Sequence, residues 1–76
     1  MEQTYGQKAV GLSFNPSGDD AVTRCKQMYA DIIDQLDAIA SRSVSATGEQ
    51  QRLAKVAITQ AQGAQMWAVK ALTWRD

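Results

Sequence analysis

Few residues of this chain have the chemistry of a catalyst. The sequence has no His and a single Cys, Cys25, and its eight acidic residues are balanced by eight basic ones. General acid–base catalysis near neutral pH most often uses His, and nucleophilic catalysis needs an activated group beside a base. Neither is visible here. Cys25 lies among apolar residues at helical spacing and reads as a small buried hydrophobe, not a nucleophile. Asp31, Asp34 and Asp37 follow one another in steps of three and read as a solvated acidic face, since a metal site would need ligands brought from elsewhere. The chain is thus expected to be no enzyme and to hold neither metal nor cofactor.

Binding chemistry is better represented. Phe14-Asn15-Pro16-Ser17-Gly18 is a turn-forming stretch ahead of a helical pattern, with Lys26 about two turns inside it; Arg52 and Thr59 stand seven residues apart on a second pattern. Backbone N–H groups at a helix start attract phosphate, Lys and Arg neutralise it, and Asn, Ser or Thr bond its oxygens or a base edge. Taken from the residues alone, a capping loop with ordinary surface charges accounts for the same pattern, and positions 17 and 59 need not meet within one chain. Trp67 and Trp74, one heptad apart, read as core or subunit interface before base-stacking platform. Lys70 is the sole charge between Gln65 and Arg75, so its ammonium must reach an edge, a carboxylate or a ligand.

Two long helices must position these groups. Pro16 fixes its own backbone and restricts Asn15 to extended shapes, and Asp19 and Asp20 suit a first helical turn. Val22, Cys25, Tyr29, Ile32, Leu36 and Ile39 then recur in steps of three and four, flanked by Met28 and Ile33, which predicts a helix over 19–41. The stretch 42–48 is small and polar, a short connection in which Thr47 and Gln50 resemble a capping box. A second helix is predicted over 49–74, where Ala54, Ala57, Ala61, Ala64, Ala68 and Ala71 form a line of small residues that admits close approach of the first helix. Residues 1–18 form an N-terminal arm and a loop; within it, 1–13 fit either a short helix or an arm docked on a neighbour. The fold class is all-α, an antiparallel helical hairpin in a single domain over 1–76.

Composition bounds the partners. Seventy-six residues leave room for one small domain, and with two Trp, two Tyr and one Phe the large core-formers are scarce. The apolar sector of the second helix is wider than one partner helix covers, so self-association is expected. A formal charge of zero argues against binding DNA or RNA polymers, whose readers carry a basic footprint. A small anion remains open. An unpaired Cys and the lack of an apolar run of membrane-spanning length fit a cytoplasmic chain without a membrane partner.

Phe14-Asn15-Pro16-Ser17-Gly18 before a helix carrying Lys26, followed by Arg52, Ala57, Thr59 and the run Met66-Trp67-Ala68-Val69-Lys70-Ala71-Leu72-Thr73, resembles the helical-hairpin family shared by two phage sponge proteins. One is the anti-CBASS cyclic-nucleotide sponge, the other the Thoeris anti-defence sponge. The resemblance covers roughly 13–73, and the Met66–Lys70 run is its most specific part. It implies a non-catalytic protein that assembles as a homohexamer in the cytoplasm of an infected bacterium and sequesters cyclic di- or trinucleotide immune messengers in pockets between protomers.

By position, the resemblance makes Lys26 a phosphate contact in a cyclic-dinucleotide pocket. Asn15, Pro16, Arg52 and Thr59 become lining residues, with Arg52 the phosphate partner in a trinucleotide site. Phe14 is the aromatic nearest the place where anti-CBASS sponges stack a base, and Ser17 belongs to the same loop. The rival reading is a structural helical module whose Ala line and Trp pair serve oligomerisation or docking to another protein.

Overall fold

The fold, seen in a computed structural model that describes residues 2–41 and 47–76, is built from helices α1 (Tyr5–Ala9), α2 (Asp20–Ala40) and α3 (Gly48–Thr73). Among the described residues the architecture is all-helical, and α2 and α3 pack side by side as a hairpin. Residues 42–46 of the connection expected over 42–48 lie outside the described residues. Thr47 closes its far end as the N-cap of α3: its hydroxyl accepts from the Gln50 N–H while the Gln50 side chain accepts from the Thr47 N–H.

Local chemistry sets the other helix starts. Asp19 caps α2, its carboxylate accepting from the Ala21 N–H at 2.8 Å. Thr4 and Gln7 form a reciprocal capping box at α1. Of the two readings of the N-terminal segment, the structure has the short helix, docked on α2 of its own chain. Gly6 is the contact point. Its N–H donates to Asp34 at 2.7 Å, and a Cβ at this position would collide with the Ala30 backbone carbonyl. Glycine here allows backbone to meet backbone.

The core is Val10, Ala30, Ile33 and Ile58, with Ala9, Leu12, Tyr29, Leu36 and Ala61 packed around it. Each helix and the segment after α1 contributes to it. Ile33 and Val22 are fully buried, worth about 1.5–3 kcal/mol apiece in apolar transfer.

The buried stripes are rotated from those the apolar spacing predicts. On α2 the buried row is Val22, Lys26, Ala30 and Ile33, whereas Met28 and Ile32 face outward. The reason is that α2 is covered by α1 on one side and α3 on the other, which centres the buried arc on Ala30, and Lys26 enters it because its charged end finds acceptors. On α3 the buried positions are Ala54, Ile58 and Gln65, while Ala64 and Ala71 of the alanine line are exposed. The bulk of Ile58 fills the space against Ala30 that a pure alanine seam would leave empty.

Candidate functional site

The loop between α1 and α2 lies against the C-terminal turns of α3. This follows from antiparallel packing, which brings the start of α2 beside the end of α3. Between them is a cleft of about 240 Å³ lined by Phe14, Asn15, Pro16 and Ser17 of the loop, Val22 and Lys26 of α2, and Val69 and Thr73 of α3. Five of the seven residues singled out in the sequence meet here.

Lys26 is 6% exposed, and its ammonium donates to the carbonyl oxygens of Gly11, at 3.1 Å, and Phe14. It also sits 5.6 Å from the centroid of the Phe14 ring, within cation–π range. A buried cation without compensation is costly. Here both hydrogen-bond acceptors are backbone carbonyls, which solvate the charge without neutralising it. One of the three ammonium donors remains for a further acceptor. The cleft therefore has a positive charge in its wall, held in place by the loop it organises.

The loop is internally tied. Asn15 donates through Nδ2 to the Asp19 carbonyl at 2.9 Å and to the Thr23 hydroxyl at 3.0 Å; its Oδ1 accepts from the Ser17 hydroxyl at 2.6 Å. Ser17 in turn accepts from the Asp19 N–H at 3.2 Å. A turn from Asn15 to Gly18, whose φ of 68° lies in the left-handed region, then feeds the chain into α2. Asn15 and Ser17 thus scaffold the wall of the cleft, and the 70% exposed Phe14 ring offers a face to an incoming planar group.

Arg52 and Thr59 lie elsewhere. Thr59 and Thr73 are separated by about 21 Å along α3 at 1.5 Å per residue, and Arg52 is farther still. Both are exposed. Arg52 holds Glu49 in a two-point pair, Nε and Nη2 each at 2.7 Å, and this hydrogen-bonded guanidinium keeps the Glu49 carboxyl below its usual pKa while raising that of Arg52. The two side chains are 60% and 63% exposed, so the pair is weak and an anionic ligand can compete for the guanidinium. The Thr59 hydroxyl donates to the Lys55 carbonyl at 3.2 Å.

Thr73, Val69 and Val22 were not singled out as site residues. Thr73 closes the resemblance-bearing run that begins at Met66, the one sequence signal that reaches the cleft from α3. Its hydroxyl donates back to the Val69 carbonyl at 2.9 Å.

A second concavity, about 430 Å³ and mainly apolar, runs between α2 and α3 past Cys25, Tyr29, Ala68 and Leu72. Among the described residues no grouping of three or more His, Cys, Asp or Glu is placed to hold a metal ion, and no helix is long and apolar enough to cross a membrane.

In comparisons with known proteins, the family model described as Acb2/Tad1, hairpin domain, matches residues 7–73. The comparisons with curated proteins and with solved structures returned no match.

Proposed function

The chain belongs to the Acb2/Tad1 hairpin family, the anti-CBASS and anti-Thoeris sponge family, and from that membership we propose that it binds cyclic di- or trinucleotide immune messengers and sequesters them uncleaved. The observation that carries the reading is the cleft at Lys26: a buried ammonium with a donor to spare, beside an exposed aromatic ring, in the loop that the family resemblance singles out. A phosphate of the ligand takes that donor and a base lies against Phe14. Pro16 stiffens the wall between them. Sequestration needs affinity and copy number, and this site supplies charge and shape without a general base or a nucleophile.

Binding pockets for compact organic ligands generally occupy about 300–1,000 Å³. The cleft, at about 240 Å³, is smaller, so in this reading it takes one edge of the messenger and a neighbouring protomer covers the remainder. That agrees with a homohexamer whose ligands sit between copies. Arg52 and Thr59, on the far reach of α3, belong to a separate trinucleotide site assembled from several copies, where phosphate displaces Glu49 from the guanidinium. The setting is the cytoplasm of the infected bacterium.

The test is to incubate the purified chain with a panel of cyclic di- and trinucleotides, remove it by filtration, denature it and chromatograph what it releases. Intact nucleotide recovered from the denatured protein supports the sponge and names its ligand class. An undepleted panel overturns it in favour of a structural module that docks another protein, and recovery of cleaved product overturns the uncleaved part.

A further inference from the structure

Asp34 lies outside the cleft, about 12 Å along α2 from Lys26 at 1.5 Å per residue. Its carboxylate accepts from the Gly6 N–H of α1 at 2.7 Å in a part-buried contact. Gly6 is the second residue of α1, so this donor is one of the first-turn N–H groups that a helix cannot satisfy from within. The Thr4 hydroxyl serves the next one, that of Gln7. Asp34 therefore completes the start of α1 from a different helix.

α1 has only five residues, and a helix that short is not stable in water by itself. Docking on α2 keeps it folded. Three contacts supply that docking: the backbone approach at Gly6, the Gln7 amide donating to Gln27 at 3.1 Å, and the bond to Asp34. The last involves an ionised acceptor, which makes such a bond roughly twice as strong as a neutral one.

At its other end α1 closes in a Schellman motif. The Leu12 N–H donates to the Gln7 carbonyl at 3.0 Å, the Gly11 N–H to the Lys8 carbonyl at 3.1 Å, and Gly11 takes a left-handed φ of 64°. This turn aims the Gly11 carbonyl, which accepts from the Lys26 ammonium at 3.1 Å and from the Phe14 N–H at 2.9 Å. The Phe14 carbonyl is the second acceptor of Lys26, and the Phe14 ring lies 5.6 Å from the ammonium. A continuous set of hydrogen bonds thus runs from Asp34 through α1 and Gly11 to the aromatic face of the cleft.

We propose that Asp34 is a positioning residue for the cleft: by holding α1 folded it sets the Gly11 turn, and with it the place of the Phe14 ring beside Lys26. The effect on nucleotide binding rests on the proposed function, whereas the placement of the ring does not.

Phe14 is the only phenylalanine of the chain, so incorporating 4-fluorophenylalanine gives a single fluorine resonance that reports this ring. The experiment records that resonance without ligand in the parent, Asp34→Ala, Asp34→Asn and Asp37→Ala. Asn retains an oxygen that can accept from Gly6, and Asp37→Ala removes the same charge from the next turn of α2. Far-UV circular dichroism verifies that α2 and α3 are intact in each. The expected result is that Asp34→Ala moves the resonance by more than its linewidth toward its position in the urea-unfolded chain, Asp34→Asn restores it, and Asp37→Ala leaves it in place. An unmoved resonance in Asp34→Ala, a lack of restoration by Asn, or an equal shift in Asp37→Ala overturns the proposal.

Depletion of the panel of cyclic di- and trinucleotides by the same proteins keeps the two readings apart. Apparent affinity falls in proportion to the fraction of molecules in the competent arrangement, so Asp34→Ala should bind the parent's nucleotide roughly tenfold more weakly and Asp34→Asn close to the parent. Equal binding by the parent and Asp34→Ala overturns the role of Asp34 in the cleft. A parent that depletes nothing overturns the sponge function instead, and the fluorine resonance still decides whether Asp34 places the ring.

Discussion

The ammonium of Lys26, carried on α2, bonds the carbonyl oxygen of Phe14 in the preceding loop. One side chain thereby supplies the positive charge of the cleft and fastens the loop that forms its wall. Lys26→Met is expected to lose stability and nucleotide uptake together. The Gly11 carbonyl keeps the Phe14 N–H as a donor, but the part-buried Phe14 carbonyl loses its lysine partner, which costs about 1 kcal/mol, visible as a lowered Tm. Equilibrium melting beside nucleotide depletion checks this. A variant that melts normally would remove the fastening role, and one that still depletes the panel would remove Lys26 from the ligand site.

Asn15 ties the loop to α2 through the Thr23 hydroxyl, which the cleft does not include. Thr23→Val keeps the shape of the residue and deletes that acceptor. A hydrogen bond of this kind contributes about 1 kcal/mol, so nucleotide affinity should fall by roughly fivefold as the wall loosens. Isothermal titration with the nucleotide that the panel identifies measures it. Unchanged affinity would mean the remaining bond from Asn15 to the Asp19 carbonyl is sufficient to hold the loop.

Gly6→Ala should undock α1. The added methyl would meet the Ala30 carbonyl, a backbone group that cannot swing aside, and sit 2.8 Å from a carboxylate oxygen of Asp34. Overpacking at such a contact costs about 1–3 kcal/mol. Hydrogen exchange should accelerate at residues 5–9 while the central turns of α2 and α3 keep their protection. Equal protection in α1 would show that α2 shifts to accommodate the methyl group.

The Glu49–Arg52 pair gives a signed pH effect. Because the Glu49 pKa is lowered in the fold, the pairing contributes above the usual carboxylate range and fades as pH falls through the lowered value. Arg52→Ala should move the Glu49 titration midpoint upward toward 4.5, followed by carboxyl NMR, and leave the Tm at neutral pH unchanged because the pair is exposed. Glu49→Gln releases the guanidinium. If Arg52 meets phosphate in a trinucleotide site, this variant binds cyclic trinucleotide at least as well as the parent, while Arg52→Ala binds it more weakly.

The hairpin was legible because its signals are local. Asp19, Thr47 and the apolar spacing define helix starts and lengths through hydrogen bonds and contacts within a few residues of one another, and the structure has α2 at Asp20–Ala40 and α3 at Gly48–Thr73. The loop residues of the site were legible for a related reason: Phe14 to Gly18 are consecutive, so wherever the loop lies they border the same space. What the sequence left open is how each helix is rotated about its axis. Alternating apolar residues allow several neighbouring arcs, and the choice depends on which elements cover α2 from both sides.

By itself the sequence determined an all-helical hairpin, its caps, a poor catalytic inventory and the loop that carries the resemblance. Tertiary structure alone decided that Lys26 is interior, that Thr73 faces the loop, and that Arg52 and Thr59 stand apart from the cleft. A lysine's burial cannot be read from its neighbours in sequence, because it depends on two carbonyls, those of Gly11 and Phe14, brought within hydrogen-bond reach by a turn of the chain. Backbone acceptors leave no mark on residue identity, and only folding fixes where they point.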